Sequence, residues 1–252
     1  MRLEIESLTM AYEGLKVVDN LSFAMPANDI VGVIGPNGAG KSTMFSIITG
    51  FLAADAGEVR FRGETVTALS PVARAKSGMV RTFQVPREFS HLTVRENLLA
   101  AAPSQSGERL LDLFFRPGRV SSEEALLAKR VDTLLEFLKL GKVADTPAGR
   151  LSGGQKKLLE LGRALMTGAK LILLDEPFAG VNPVLIEEIS QRILELNADG
   201  VGFLIIEHDL GALTRIVSTL HVMDRGCLIA SGPPAEVLKD PIVREAYLGG
   251  VS

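Results

Sequence analysis

The sequence predicts an α/β fold in which a largely parallel sheet is joined to antiparallel strands from both ends of the chain, with a helix-rich stretch between. Three observations predict it. Short apolar runs that end in glycine or a charged residue, DIVGVIG, KLILLDEP and VGFLIIEHD, alternate with helical patterns, as strands covered on both faces do. LEIESLTM and GEVRFRGE alternate apolar and polar residues, and LHVMDRGCLIASG turns at Asp224-Arg225-Gly226, which are signs of antiparallel pairing. From about Thr93 to Leu151 nothing has the pattern of a strand.

Taken in order, LEIESLTM is a half-buried strand and LSFAMP its neighbour. DIVGVIG is a buried strand that passes into the helix KSTMFSIITGF, and GEVRFRGE is an edge-type strand. SPVARAKSG has Ser70 as a cap and Pro71 at the first helical position, where the missing N–H costs nothing. GMVRTFQ is a further strand. Thr93 and Glu96 have capping-box spacing, and so do Ser121 and Glu124, whose helix is expected to stop at Gly141. SGERLLDLFFRPGRV, between those helices, is a short amphipathic segment. Leu158, Leu161 and Leu165 give the helix after LSGG its apolar face, with Ser152 and Gln155 as its capping box. A further helix runs from Asn182 and Pro183 to about Asn197.

Composition narrows the possible functions. With 252 residues, 46% of them apolar, a large core can be buried. The 27 basic and 30 acidic residues nearly balance, leaving a net charge of −3, so nothing favours an electrostatic grip on nucleic acid. One cysteine, Cys227, excludes an internal disulfide and suits a reducing compartment. The N-terminus lacks the basic-then-apolar pattern of a signal peptide. No apolar run approaches the ~20 residues of a membrane span, so work at a membrane would require partners. No linker or short repeat divides the chain.

GPNGAGKST, Gly35 to Thr43, fits G-x-x-x-x-G-K-[ST] between a strand and a helix, the context of a phosphate-binding loop. Its glycines let backbone approach phosphate, and successive N–H groups form an anion nest. Lys41 supplies charge for the β- and γ-phosphates and Ser42 a hydroxyl for Mg²⁺. A dinucleotide fingerprint does not match the glycine spacing and leaves Lys41-Ser42 unexplained. Asp175, at the end of an apolar strand, is the expected Mg²⁺ ligand, and the adjacent Glu176 can orient and deprotonate water. The bland alternative for this pair is a strand-end cap. Gln84 and His208 also follow strands and could face the same phosphate, Gln84 holding water or the metal; His208 is otherwise a structural hydrogen-bonder, the only reading for His91 and His221.

Ser152-Gly153-Gly154-Gln155 raises a separate question, because glycine in a helix costs about 1 kcal/mol against alanine. The glycines make sense if a foreign phosphate approaches this second anion site. Two copies arranged head to tail would allow it, each LSGG closing on the nucleotide held by the other copy's phosphate loop. A glycine turn before a core helix is the alternative.

Tyr12, GPNGAGKST, Gln84, LSGGQ, LILLDEP and His208, in this order, resemble the ATP-binding subunits of ATP-binding cassette (ABC) transporters over nearly the whole chain. The resemblance implies a P-loop NTPase of ABC type over residues 1–252, with a RecA-like core, an antiparallel β-subdomain and a helical subdomain at about 93–151. It implies ATP and Mg²⁺, with Gly35, Pro36, Asn37, Gly38, Ala39, Gly40, Lys41, Ser42 and Thr43 on the phosphates. It makes Tyr12 the adenine-stacking residue, Glu176 the catalytic base and His208 the switch histidine. It implies a nucleotide-sandwich dimer beneath two membrane subunits, at the cytoplasmic face of the membrane. One departure is Ala179-Gly180-Val181-Asn182, where many members have Ser-Ala-Leu-Asp. The neutral Asn182 puts the usual charged cross-dimer contact in doubt.

VRTFQVPREFSHLTVRENLL, EPFAGVNP, LIIEHDL and DPIVREAYLG look, more narrowly, like the branched-chain amino acid importer ATPases, in the longer of their two types. That implies a second ATPase subunit, two permeases and a solute-binding protein outside. ATPases of urea or amide import and of lipopolysaccharide export share parts of these stretches. A groove near Gln84 to Leu98, with Phe83, Phe89 and Leu92 as walls, is expected to take a membrane-subunit helix. A soluble ABC protein lacks support because no coiled-coil insertion or second cassette is present, and a P-loop kinase or switch would give LSGGQ no task.

Overall fold

The computed structural model describes residues 3–83, 87–103 and 117–248. Gln84 lies outside them, as does residue 106–116 of the expected amphipathic segment. The chain divides into two compact units, one of Met1–Gln84, Lys170–Ala179 and Pro183–Ser252, the other of Val85–Ala169 and Gly180–Asn182.

The first unit carries two sheets. Strands β1 (Leu3–Tyr12), β2 (Leu15–Met25), β4 (Ala56–Phe61) and β5 (Glu64–Thr65) form an antiparallel sheet in the order β2-β1-β4-β5. GEVRFRGE is therefore not at the edge: Arg62 and Gly63, at φ 58° and 82°, turn the chain so that the two-residue β5 takes that place. Two-residue hairpin turns of this kind need positive φ at both positions. The second sheet has the order β10-β9-β3-β8-β7-β6, built from β3 (Ile30–Ile34), β6 (Met79–Arg81), β7 (Leu171–Asp175), β8 (Gly202–Ile206), β9 (Thr219–Asp224) and β10 (Cys227–Gly232). All its pairings are parallel except β9 with β10. Every residue of β3, β7 and β8 is buried, which explains why these strands are apolar without alternation.

Helix α1 (Lys41–Ile48) buries Met44, Phe45, Ile47 and Ile48 in a core shared with Leu3, Ile5 and Leu21 of one sheet and Val33, Leu173 and Leu204 of the other. Its buried C-terminal carbonyls would be costly in such a place without partners. The buried Arg74, from helix α2 (Pro71–Lys76), donates to Ile47 O and Ile48 O at 2.6 Å each, and its positive charge complements the helix dipole there.

The second unit is helical, with an isolated bridge between Thr93 and Pro147 and no strand among its described residues. Helix α3 (Val94–Ala100) has the expected capping box, Glu96 N–H donating to Thr93 Oγ1 and Thr93 N–H to Glu96 Oε2. The long helix α4 (Pro117–Phe137) departs from expectation at both ends. It begins on proline, suited to a first turn, so Ser121 and Glu124 fall inside it and form no cap. It ends through Lys139 at φ 54°, with Leu140 N–H reaching back to Leu135 O at 2.8 Å. This closes the last turn two residues before Gly141. Burial of Leu140 holds the exit. Helix α5 (Gly153–Met166) buries Leu158, Leu159, Leu161 and Met166, while Leu165 is only half-buried. A Cβ at Gly162 would stand 2.7 Å from Leu138 and 2.9 Å from Leu98, so α5 packs against α3 and α4 through a bare backbone.

His221, expected to be a structural hydrogen-bonder, is something else. It is buried on β9 against Phe23 at 4.7 Å between ring centroids, and neither ring nitrogen has a partner among the described residues. Burial pushes its pKa down to about 4 from 6.5. Below 6.5 the unfolded chain takes up a proton that the fold excludes, so stability falls with falling pH through this window, by about 1.4 kcal/mol per pH unit. His221→Leu removes this term. The difference in urea midpoint between wild type and variant is expected to shift in the variant's favour by about 3 kcal/mol equivalent from pH 6.5 to pH 4; a constant difference refutes the assignment.

Candidate active site

The phosphate loop leaves β3 at Gly35 and enters α1 at Lys41. Two of its glycines are required by their surroundings. A Cβ on Gly35 would stand 2.1 Å from Met223 O, and one on Gly40, at φ 94°, 2.3 Å from Val17 O. The loop is therefore pressed against β9 and β2, its N–H groups held for an anion. Lys41 is buried and donates to Gly35 O at 2.8 Å and Pro36 O at 3.0 Å. Burial lowers its pKa, and the charges of Glu176 and Asp175 oppose that.

Residues 37–43 line a cavity of about 200 Å³ together with Val17, Glu176 and His208. Tyr12, half-exposed at the end of β1, is not among its lining residues. Glu176 follows β7 at φ 51°, a left-handed backbone that costs a non-glycine residue about 1–2 kcal/mol. Its Oε1 lies 3.0 Å from His208 Nε2, so the two strand-end residues meet. Asp175 is buried and accepts from Arg81 at 2.7 Å. Ser42 and Asp175 are hard oxygen donors of the kind Mg²⁺ takes.

Sequence patterns did not single out Glu207, which organises this corner. Buried between Ile206 and His208, it accepts from Phe178 N–H at 2.6 Å through Oε1 and from His208 N–H at 2.7 Å and Asp209 N–H at 3.1 Å through Oε2. One carboxylate thereby ties the loop after Glu176 to the loop carrying His208. Its only signal was an ionisable residue directly after an apolar strand.

Ser152–Gln155 belong to the second unit. Gln155 N–H donates to Ser152 Oγ at 3.3 Å, and Ser152 N–H to Gln155 Oε1 at 3.0 Å. Among the described residues, a Cβ on Gly153 would meet nothing within 4 Å. In the same unit, Asn97 is fully buried and satisfied, donating to Phe89 O, Leu92 O and Thr93 O and accepting from Phe89 N–H. It leaves Phe89 half-exposed beneath the Arg163 guanidinium, 4.8 Å from the ring centroid. The expected groove, which needs Phe83 of the first unit and Gln84, is not described.

Fold and site define a P-loop α/β protein. The ABC transporter family model matches residues 18–179, and a model for the branched-chain amino acid ATP-binding cassette transporter matches residues 227–251. A probable branched-chain amino acid transport ATP-binding protein LivG from Methanocaldococcus jannaschii is 43% identical, covering 98% of this chain and 97% of that protein. Its counterpart from Archaeoglobus fulgidus is 42% identical, covering 98% and 95%. The lipopolysaccharide export system ATP-binding protein LptB of Haemophilus influenzae is 34% identical, covering 98% and 97%. The crystal structure of the ADP conformation of an ATP-binding cassette of an ABC transporter has a TM-score of 0.84 at 42% identity, covering 99% of each chain. This chain belongs to the ABC transporter family of ATP-binding cassettes, which are ATPases.

Replacing Glu207 with glutamine puts an NH₂ group among N–H donors and leaves at least one of them without an acceptor. Glu207→Gln is expected to lower unfolding stability by about 1–3 kcal/mol, read from denaturant midpoints. An unchanged midpoint overturns the role given to these three bonds.

Proposed function

We propose that this chain is the ATP-hydrolysing subunit of an importer for branched-chain amino acids. It works with a second ATPase subunit beneath two permeases at the cytoplasmic face of the membrane, and a solute-binding protein outside delivers the cargo. Similarity at 42–43% over nearly the full length to LivG proteins carries this reading. The 34% identity to LptB makes lipopolysaccharide export the weaker alternative. Among the described residues no helix is long and apolar enough to cross a membrane, which fits a subunit held there by others.

In this reading residues 1–252 are one cassette with a helical subdomain at about 93–151. ATP lies with its phosphates on residues 35–43 and its adenine on Tyr12. Lys41, already buried, exchanges its two loop carbonyls for phosphate oxygens. Ser42, Asp175 and Gln84 hold the metal side. Mg²⁺, when bound, neutralises charge on the β- and γ-phosphates. Glu176 takes the proton of the attacking water, its carboxylate aimed by His208 3.0 Å away. His208 is the switch histidine of this reading, joined to the γ-phosphate side of the site through Glu176. Residues 152–155 of the other subunit cover the nucleotide. The open space at Gly153 supports this, since among the described residues a Cβ there would meet nothing within 4 Å.

Glu176→Gln is expected to keep ATP affinity and lose about 10²–10⁴ in turnover; wild-type turnover removes Glu176 as the base. For the transported class, the assembled complex in proteoliposomes is supplied with binding protein and single solutes. Leucine, isoleucine or valine should stimulate ATP turnover and accumulate. Stimulation confined to another solute class, or none, overturns the assignment.

A further inference from the structure

Arg81 ends the short edge strand β6, paired in register with Leu173, two residues before Asp175. Its guanidinium donates to Asp175 Oδ2 at 2.7 Å and, through the other terminal nitrogen, to Ser46 Oγ at 2.8 Å. Ser46 Oγ in turn donates to Ser42 O at 2.7 Å. The side chains of Arg81 and Asp175 are only 9% and 7% exposed. Phe45 and Phe83 flank the guanidinium at 5.7 Å from each ring centroid. Such a pair stays in place because it is desolvated and its partners are fixed. Asp175 Oδ1 accepts no hydrogen bond among the described residues.

We propose that Arg81 is a positioning residue for the metal ion. It fixes Asp175 relative to the first turn of α1, where Ser42 sits, and commits one carboxylate oxygen so that the other stays available. The planar fork is what allows one cation to hold Asp175 and Ser46 together, and an ammonium in its place reaches only one of them. This rests on Ser42 and Asp175 being the metal-side residues of the proposed ATPase.

The test is the affinity of the full chain for a non-hydrolysable ATP analogue, measured by calorimetry with Mg²⁺ and again with EDTA. The ratio of the two affinities reports metal coupling apart from phosphate-loop binding. Arg81→Met is expected to cut this ratio by about tenfold or more, in the range found when groups that orient metal ligands are removed. Affinity in EDTA should stay at the wild-type value. Arg81→Lys should restore only part of the ratio. Ser46→Ala cuts the second anchor but keeps the buried ion pair, so it reads out even where Arg81→Met does not fold, and it too should lower the ratio. An unchanged ratio in folded Arg81→Met or in Ser46→Ala overturns the inference, as does an equal loss of affinity with and without Mg²⁺. A wild-type chain with no gain from Mg²⁺ would instead remove the metal reading of Ser42 and Asp175 beneath it.

Discussion

Val33 of β3 and Asp175 of β7 both stand opposite Ile206 of β8, so three neighbouring strands end at one level and everything at the site hangs from there. Each strand is a run of five buried residues. In parallel strands apolar on both faces, a slip of one residue does not turn a polar side chain inward, so the alternation that pins an antiparallel register is missing. The ends set it instead. Gly35, Asp175 and Glu207 are the first positions where the chain turns or a charge must find partners, and they fall within about one residue of the same level. The loops that carry Lys41, Glu176 and His208 then open on the same side.

That level concentrates charge in a poorly hydrated place, and each charge is matched differently. Asp175 is paired with Arg81, and Glu207 accepts three backbone N–H groups. Lys41 rests on two carbonyl oxygens, the kind of partner a phosphate can displace. Because Arg81 and the N–H groups already compensate the two buried carboxylates, Lys41 is not locked into an ion pair with either. A lysine committed to Asp175 would have to break a buried pair before it could serve an anion, at a cost of several kcal/mol.

The motifs were legible because each demands a residue type at a fixed spacing. The glycines at 35 and 40 answer to oxygen atoms a Cβ would strike, and the capping boxes at Thr93 and Ser152 use side chains three residues apart. The helix from Pro117 departs from its sequence pattern because Ser121 and Glu124 have the same spacing with no helix end to cap, and because Lys139 rather than glycine takes the left-handed exit. Arg81 and Glu207 were out of reach for another reason. Asp175 is 94 residues from Arg81, and Phe178, the partner through which Glu207 joins two loops, is 29 residues away; such pairings arise only from strand order. The same holds for His221, whose burial depends on β2 supplying Phe23 from the other sheet.

Glycine marks three different constraints in this chain. Gly40 yields to the Val17 carbonyl of β2, and Gly162 to the leucines packed around it. Both needs are internal, and both would be felt by the folded subunit alone. Gly153 has neither, for it stands in open space at the start of a helix whose capping box is already complete. Alanine is the better helix former, so helix stability in the lone chain does not favour the glycine that is present. The compensation has to come from something that approaches the backbone from outside, and an anion suits it, because the N–H groups of a helix's first turn have no partner within the helix. Gly35 and Gly40 of the phosphate loop are accounted for by atoms of the chain itself; among the described residues nothing does the same for Gly153, and that asymmetry is what supports the proposed sharing of the site with a second subunit.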